Sequence, residues 1–371
     1  MLSKLPPDFD TPTYVYPLLE DPDFNQKIAD KKEFQDTKFN GVVQPIKERA
    51  ELLQKQPFEL ASHQLFVKTF LSFQTPYNSM LLYHGLGTGK TCSAIGVAED
   101  MRKYLKKFQI NKSIIIVASP NVQNNFRLQL FDESKLVEKN GEWYFQGCVG
   151  NSIIKEINPT GIKNYPRDRV IQQINLVIKK HYTFLGYIQF ANIIESLSTN
   201  VKKLKEEFNG RLVIIDEYHN MRTAFDAQDK RTQKKQTTKQ LDYLVEHADN
   251  LRLLLLSATP TYNSYKEIIW TLNLLNKNDK RPTIKEGDIF EKDGNFKEYG
   301  KEKLMESARG YVSFVKGDNP YVFPFRVYPM VPNIIFPTIQ LNDLEIPENK
   351  QIEILRKQLT CVKIMKEQYD I

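Results

Sequence analysis

The chain has 371 residues, 41% hydrophobic and 26% charged, with a net charge of +7. That is ordinary for a soluble globular protein of two or three domains, and the positive excess permits a polyanionic partner without demonstrating one. Three scattered cysteines with no CxxC pair (Cys92, Cys148, Cys361) argue against a disulfide framework or zinc site and fit a reducing compartment, and no apolar run nears the roughly 20 residues of a membrane span.

Taken in chain order, residues 1–54 read as an N-terminal extension wrapping a neighbouring domain. It is polar with scattered aromatics, helical only over "DFNQKIADKKEF", and its proline-rich, acidic start is no signal peptide. In "PFELASHQLFVKTFLSF", Leu60, Leu65, Phe66, Phe70 and Leu71 fall near helical spacing, with Ser62 as its cap. "MLLYH" reads as a strand. The helix predicted over 90–108 carries Ile95, Ala98, Met101, Leu105 and Phe108 on one stripe. "SIIIVASP" and the weaker "HYTFL" are further strands, the second followed by a helical "GYIQFANIIESL"; "RLVIID" and "LRLLLLSATP" close the series. Continuous apolar strands alternating with helices predict an α/β doubly wound parallel sheet over residues 55–275.

Two segments depart from this pattern. The polar, basic stretch 222–240 reads as a surface insertion, in which Lys230, Arg231, Lys234, Lys235 and Lys239 cluster. Residues 276–345, rich in Pro, Gly and aromatics, read as an extended arm or small insertion outside the sheet. Residues 346–371 start a helix that stops at Ile371, so the chain is expected to be the N-terminal part of a longer protein.

Three strand ends carry chemistry. "GLGTGKT" follows the strand "MLLYH" and opens a helix, the context of a phosphate cradle: Gly85, Gly87, Thr88 and Gly89 present backbone N–H groups, Lys90 reaches the β/γ-phosphates, and Thr91 holds Mg²⁺. One departure stands out, since His84 occupies the place of the first glycine in G-x-x-x-x-G-K-[ST]. "LVIIDEYHNM" puts Asp216 and Glu217 at the end of a buried strand, Asp216 to hold Mg²⁺ and Glu217 to orient and deprotonate the attacking water. "LLLLSATP" ends in Ser257, Ala258 and Thr259.

As an ordered set, GTGKT, DEYH and SATP resemble the first RecA-like domain of superfamily 2 helicases and translocases of the DExH class, over residues 55–275. The resemblance implies ATP and Mg²⁺ as cofactors, with Lys90, Asp216, Glu217 and His219 catalytic. It implies that His219 and Ser257–Thr259 couple hydrolysis to strand movement, and that Gln64 reads the adenine edge. It also implies that Ser119, Pro120 and Asn121, in "ASPNVQNNF", hold the backbone of DNA or RNA. A narrower likeness, carried by "YHGLGTGKTCSAIGVAE", "SATPTYNSYKEIIWTLNLLN" and "VSFVKGDNPYVFPFRVYP", is to ATPases of large cytoplasmic DNA viruses, in particular the ATPase (small) subunit of the poxvirus-type early transcription factor. That likeness implies action in viral transcription in the host cytoplasm or virion, with viral RNA polymerase or a transcription-factor subunit as partner.

Such motors use a second RecA-like domain in cis, whose arginines are typically worth about 10³–10⁵ in rate. Nothing after 276 resembles it, so this chain alone is expected to be nearly inactive. Two other classes stand beside the motor: a non-motor scaffold that ATP switches and that binds polymerase or other viral proteins, and a small-molecule P-loop kinase. The kinase is the weakest, because it needs neither DEYH nor SATP. His63 and His181 show no ligand spacing, and Tyr218 and the aromatics of 311–328 are expected to pack in the core or arm.

Overall fold

The apolar runs form strands of one sheet in the computed structural model, which describes residues 15–38, 59–161, 165–223, 237–261, 264–291 and 293–315 together with 45, 47, 48, 51 and 345. The strands are β1 (Ser79–His84), β2 (Ile114–Val117), β3 (Leu136–Lys139), β4 (Glu142–Phe145), β5 (Tyr182–Leu185), β6 (Leu212–Asp216), β7 (Arg252–Ser257) and β8 (Val312–Val315). Six of them make a sheet in the order β5-β2-β6-β7-β1-β8, with every neighbouring pair parallel. Every residue of β2, β6 and β7 is buried. Successive residues of a strand face opposite sides, so helices cover both faces, and this is why the strands read as unbroken apolar runs. The fold is the doubly wound, RecA-like α/β class.

The helix Lys90–Lys107 buries Ile95, Ala98, Met101 and Leu105 as its spacing requires. Phe108 is not on that stripe. It is the C-cap, 55% exposed, and lies against the Tyr104 ring. The helix Ser62–Phe70 begins at Ser62, with Ala61 rather than Ser62 at its cap position. Against it pack two short N-terminal helices, Phe24–Ala29 and Lys32–Gln35, which bury Phe24, Ile28 and Phe34. Tyr77 binds the segment before them: its ring stacks on Phe70 at 4.4 Å and its hydroxyl donates to the Pro17 carbonyl.

Three expectations need correction. Residues 276–315 are not an arm apart from the sheet: the helix Glu267–Asn278 runs past 276, the helix Gly300–Ala308 follows, and β8 pairs with β1 as the sheet's edge. The alternating exposure of β8, half-buried at Ser313 and Val315, hid it from a search for continuous apolar runs. Residues 237–240 are not loop, because they open the helix Thr237–His247; residues 224–236, with most of the basic cluster, lie outside the described residues. Thirdly, Cys92 and Cys148 meet in a disulfide, Cα–Cα 5.2 Å, although 56 positions separate them.

That bridge ties the helix Lys90–Lys107 to a subdomain inserted between β2 and β5. There β3 and β4 form an antiparallel hairpin, and Phe131, Leu136, Phe145, Ile153, Ile154, Val170 and Ile174 make a small core of their own. The chain divides into two units, Met1–Val322 and Phe323–Ile371. Apart from Glu345, the second lies outside the described residues, as do the aromatics beyond 315 and the helix start expected at 346–371.

Candidate nucleotide site

Because β6, β7 and β1 are neighbours and run parallel, their carboxyl ends lie side by side at one edge of the sheet. From these three tips come Asp216, Ser257 and the glycine loop.

The loop leaves β1 at His84 and enters the helix at Lys90. Gly87 and Gly89 both take left-handed backbone, with φ 76° and 81°. At Gly89 any Cβ would also lie 2.3 Å from Nε2 of Gln64. Only glycine meets both demands. The Thr88 hydroxyl donates to the Gly85 carbonyl, and the Gly85 N–H donates to the Val315 carbonyl of β8. The Lys90 ammonium donates to the carbonyls of His84 (2.9 Å) and Gly85 (3.2 Å). Burial lowers its pKa, while Glu217 and Asp216 oppose the change. Thr91, half-buried, follows in the first turn of the helix.

Two residues of the helix Ser62–Phe70 hold this loop from outside. Gln64 is buried, with its amide oxygen accepting from the Ala61 N–H and its amide nitrogen donating to the Gly89 carbonyl. His63 Nε2 lies 2.9 Å from the Thr88 carbonyl. In this arrangement the Gln64 amide is engaged by backbone at both ends, so what it does here is fix the helix start and the loop. His63, to which the sequence gave no role, shares that work.

At the tip of β6, Asp216 is 8% exposed and its Oδ1 accepts from the Glu217 N–H. Burial first, then the neighbouring Glu217, raises its pKa to about 6, against that N–H and Lys90. Glu217 itself takes left-handed backbone, φ 44°, uncommon for a side chain of its size. Such backbone persists only where surroundings enforce it. Here Ser257 does so: its hydroxyl donates to Glu217 Oε2 (3.2 Å) and accepts from the Thr259 N–H (3.0 Å), and His219 Nδ1 lies 3.1 Å away. With the Ser257 proton given to the carboxylate, the network assigns His219 the tautomer protonated at Nδ1. Ala258 sits between the two hydroxyl residues. Tyr218 packs in the core at 1% exposure, its hydroxyl bonded to Thr271 and the Pro260 carbonyl.

The structure therefore groups Gly85–Thr91, Asp216–His219 and Ser257–Thr259. Ser119, Pro120 and Asn121 stand one tip further on, where β2 enters the helix Pro120–Leu130. Two participants went unread in the sequence. Tyr187, two residues past β5, donates its hydroxyl to the Asp216 carbonyl at 2.7 Å. Ser313 of β8 meets Nε2 of the fully buried His84 at 2.8 Å. Burial, with His63 and Lys90 adding to it, lowers the His84 pKa to about 4, so the imidazole is neutral near pH 7.

The donor set fits a magnesium nucleotide. A glycine cradle that a Cβ would fill, a lysine turned onto its own loop's carbonyls, and two adjoining carboxylates would receive an anion and a hard dication.

The family model described as "Type III restriction enzyme, res subunit" matches residues 58–262. "Putative ATP-dependent RNA helicase R563" of Acanthamoeba polyphaga mimivirus is 29% identical over 325 residues, 83% of this chain and 49% of that protein. An "Early transcription factor large subunit homolog" of African swine fever virus is 22% identical over 442 residues, 91% of this chain and 38% of that protein. The chain thus spans half or less of the length of these relatives. A Sulfolobus solfataricus SWI2/SNF2 ATPase core in complex with dsDNA matches at 14% identity and TM-score 0.37, over 70% of this chain and 44% of that one. The chain belongs to the family of the type III restriction enzyme res subunit, within the superfamily 2 helicases and ATPases.

Proposed function

We propose that this chain is the ATP-binding half of a DExH-type, nucleic-acid-dependent ATPase that acts in viral transcription and moves on DNA or RNA. The observation that carries the reading is Ser257. Its one hydroxyl joins the Glu217 carboxylate, the His219 ring and the Thr259 backbone across two neighbouring strand tips. A structural cap on a strand has no need of that junction.

Gly85, Gly87, Thr88 and Gly89 bind the phosphates, Lys90 leaves its own loop's carbonyls for them, and Thr91 and Asp216 hold Mg²⁺. A bound Mg²⁺ supplies charge neutralisation for phosphoryl transfer. Glu217 orients a water and accepts its proton, held in place by Ser257 and strained backbone. His219 and Ser257–Thr259 transmit the change to β7 and the chain beyond. Ser119, Pro120 and Asn121 take the polymer's phosphates, contacts that position without reading sequence. The arginines of a second RecA-like domain complete the reaction.

Uptake of ATP–Mg²⁺ by calorimetry tests the reading, followed by steady-state ATPase assays with added DNA or RNA. The chain is expected to bind nucleotide weakly and to turn over very slowly, and Lys90→Ala to abolish uptake. Turnover near one per second from this chain alone would count against a missing arginine-bearing domain. No uptake at millimolar nucleotide would sink the proposal.

A further inference from the structure

Tyr187 occupies a place the proposed chemistry does not use. It leaves the tip of β5, while the carbonyl it binds belongs to β6; β2 lies between them. Two strand spacings are roughly 10 Å, within reach of a tyrosine hydroxyl plus one hydrogen bond and beyond any shorter donor. In crossing, the side chain passes over the tip of β2, where Ser119 stands. That tip is fastened to β5, since the Ala118 N–H donates to the Leu185 carbonyl and the Arg127 guanidinium lies 4.2 Å over the Phe184 ring.

The hydroxyl is a junction. It donates to the Asp216 carbonyl at 2.7 Å and receives the Asn220 amide at 3.5 Å. Burial raises its pKa, while the Asn220 amide and the Ser119 backbone N–H pull it back down, which places that N–H against the same oxygen. One oxygen therefore touches the backbone of the metal-site carboxylate, the helix that follows His219, and the first residue of the proposed phosphate-binding tip. Pro120 and Asn121 beside it are exposed, open to a polymer.

We infer that Tyr187 is the positioning residue through which a nucleic-acid backbone seated at Ser119–Asn121 biases the magnesium carboxylate Asp216. The inference rests on the proposed function, because it needs both ligands. Phosphates drawn to the Ser119 N–H compete with the tyrosine oxygen for that donor. The oxygen then shifts on the Asp216 carbonyl, and Asp216 with it. By linkage, nucleotide must change the affinity for polymer by the same factor.

The test measures the affinity of AMP-PNP–Mg²⁺ for the chain, alone and with saturating 20-mers of single-stranded DNA, single-stranded RNA or duplex DNA. With the right polymer the wild-type affinity is expected to change about two- to ten-fold, the range of one neutral hydrogen bond. In Tyr187→Phe the ratio is expected to collapse to one while the melting transition stays cooperative. Asn220→Ala, which removes a donor to the same oxygen and keeps the ring, is expected to lower the ratio as well. A folded Tyr187→Phe with the wild-type ratio overturns the relay; if that variant does not fold, an unchanged ratio in Asn220→Ala does so. A wild type that binds both ligands with no coupling overturns it too. A wild type that takes up nucleotide and none of the polymers sinks the proposed function instead, and the relay with it.

Discussion

Asp216 should weaken the protein it serves. Buried beside Glu217, its carboxyl has its pKa raised from 3.8 to about 6. The unfolded chain ionises it freely, so the folded state binds the proton more tightly. Stability is therefore fullest below about pH 4, declines as pH rises through 4 to 6, and above that carries a constant penalty of about 3 kcal/mol. Asp216→Asn keeps the oxygen that accepts from the Glu217 N–H and removes the charge. At pH 7.5 and without nucleotide it should raise stability by about 1–3 kcal/mol, a melting shift of several degrees, while abolishing Mg²⁺-dependent nucleotide uptake. Chemical denaturation at pH 7.5, 5.5 and 4.5 reads the effect directly, and the gain should shrink at each step down. Wild-type Mg²⁺–nucleotide affinity should itself fall as pH drops below about 6, where Asp216 takes up its proton. A variant no more stable than wild type at pH 7.5, or one whose advantage does not change with pH, refutes the reasoning.

Three further outcomes follow from the same structure. Ser257→Ala leaves the Thr259 N–H without its acceptor and releases Glu217, so kcat in the full-length protein should fall with KM little changed, at about 1–3 kcal/mol of stability; a KM effect alone would contradict this. Arg102, fully buried, grips Glu99 through two nitrogens and Glu156 through a third, and Tyr182 adds its hydroxyl to Glu99. Arg102→Ala should cost about 3–5 kcal/mol by stranding Glu99, whereas Arg102→Met with Glu99→Gln should recover most of it in a denaturation series. Thiol titration of the denatured, unreduced chain should find one free cysteine. Reduction should destabilise the fold by up to about 4 kcal/mol, the upper bound for a closed loop of this length.

What was legible in the sequence was whatever local chemistry alone dictates. Parallel strands buried on both faces must be apolar throughout, so β1, β2, β6 and β7 announced themselves, and so did the polar residues at their tips. Elements whose reasons lie elsewhere stayed hidden. The inserted subdomain packs on its own small core, too slight to register as a run. Yet its hairpin carried a readable signal: Asn140-Gly141, both with positive φ, between "LVEK" and "EWYF". The Cys92–Cys148 pairing had no sequence signal, since proximity across 56 positions is a product of the fold. Tyr187 was equally silent, because a tyrosine two residues past a strand gains meaning only once β2 is known to lie between β5 and β6.

The oddity at His84 and the overlooked strand β8 are one fact. Where the phosphate-loop pattern has glycine, this chain buries an imidazole with no exposed surface, and burying a polar ring requires a partner. The partner is Ser313, and it exists only because β8 pairs with β1 in the register that sets Tyr83 beside Phe314 and His84 beside Val315. The next bond, Gly85 N–H to Val315, continues that ladder into the loop itself. A glycine at 84 would leave the loop hinged freely on the end of β1; the histidine pins it sideways to the edge strand. Whatever moves the phosphate loop therefore pulls on β8, and through β8 on the chain that follows it.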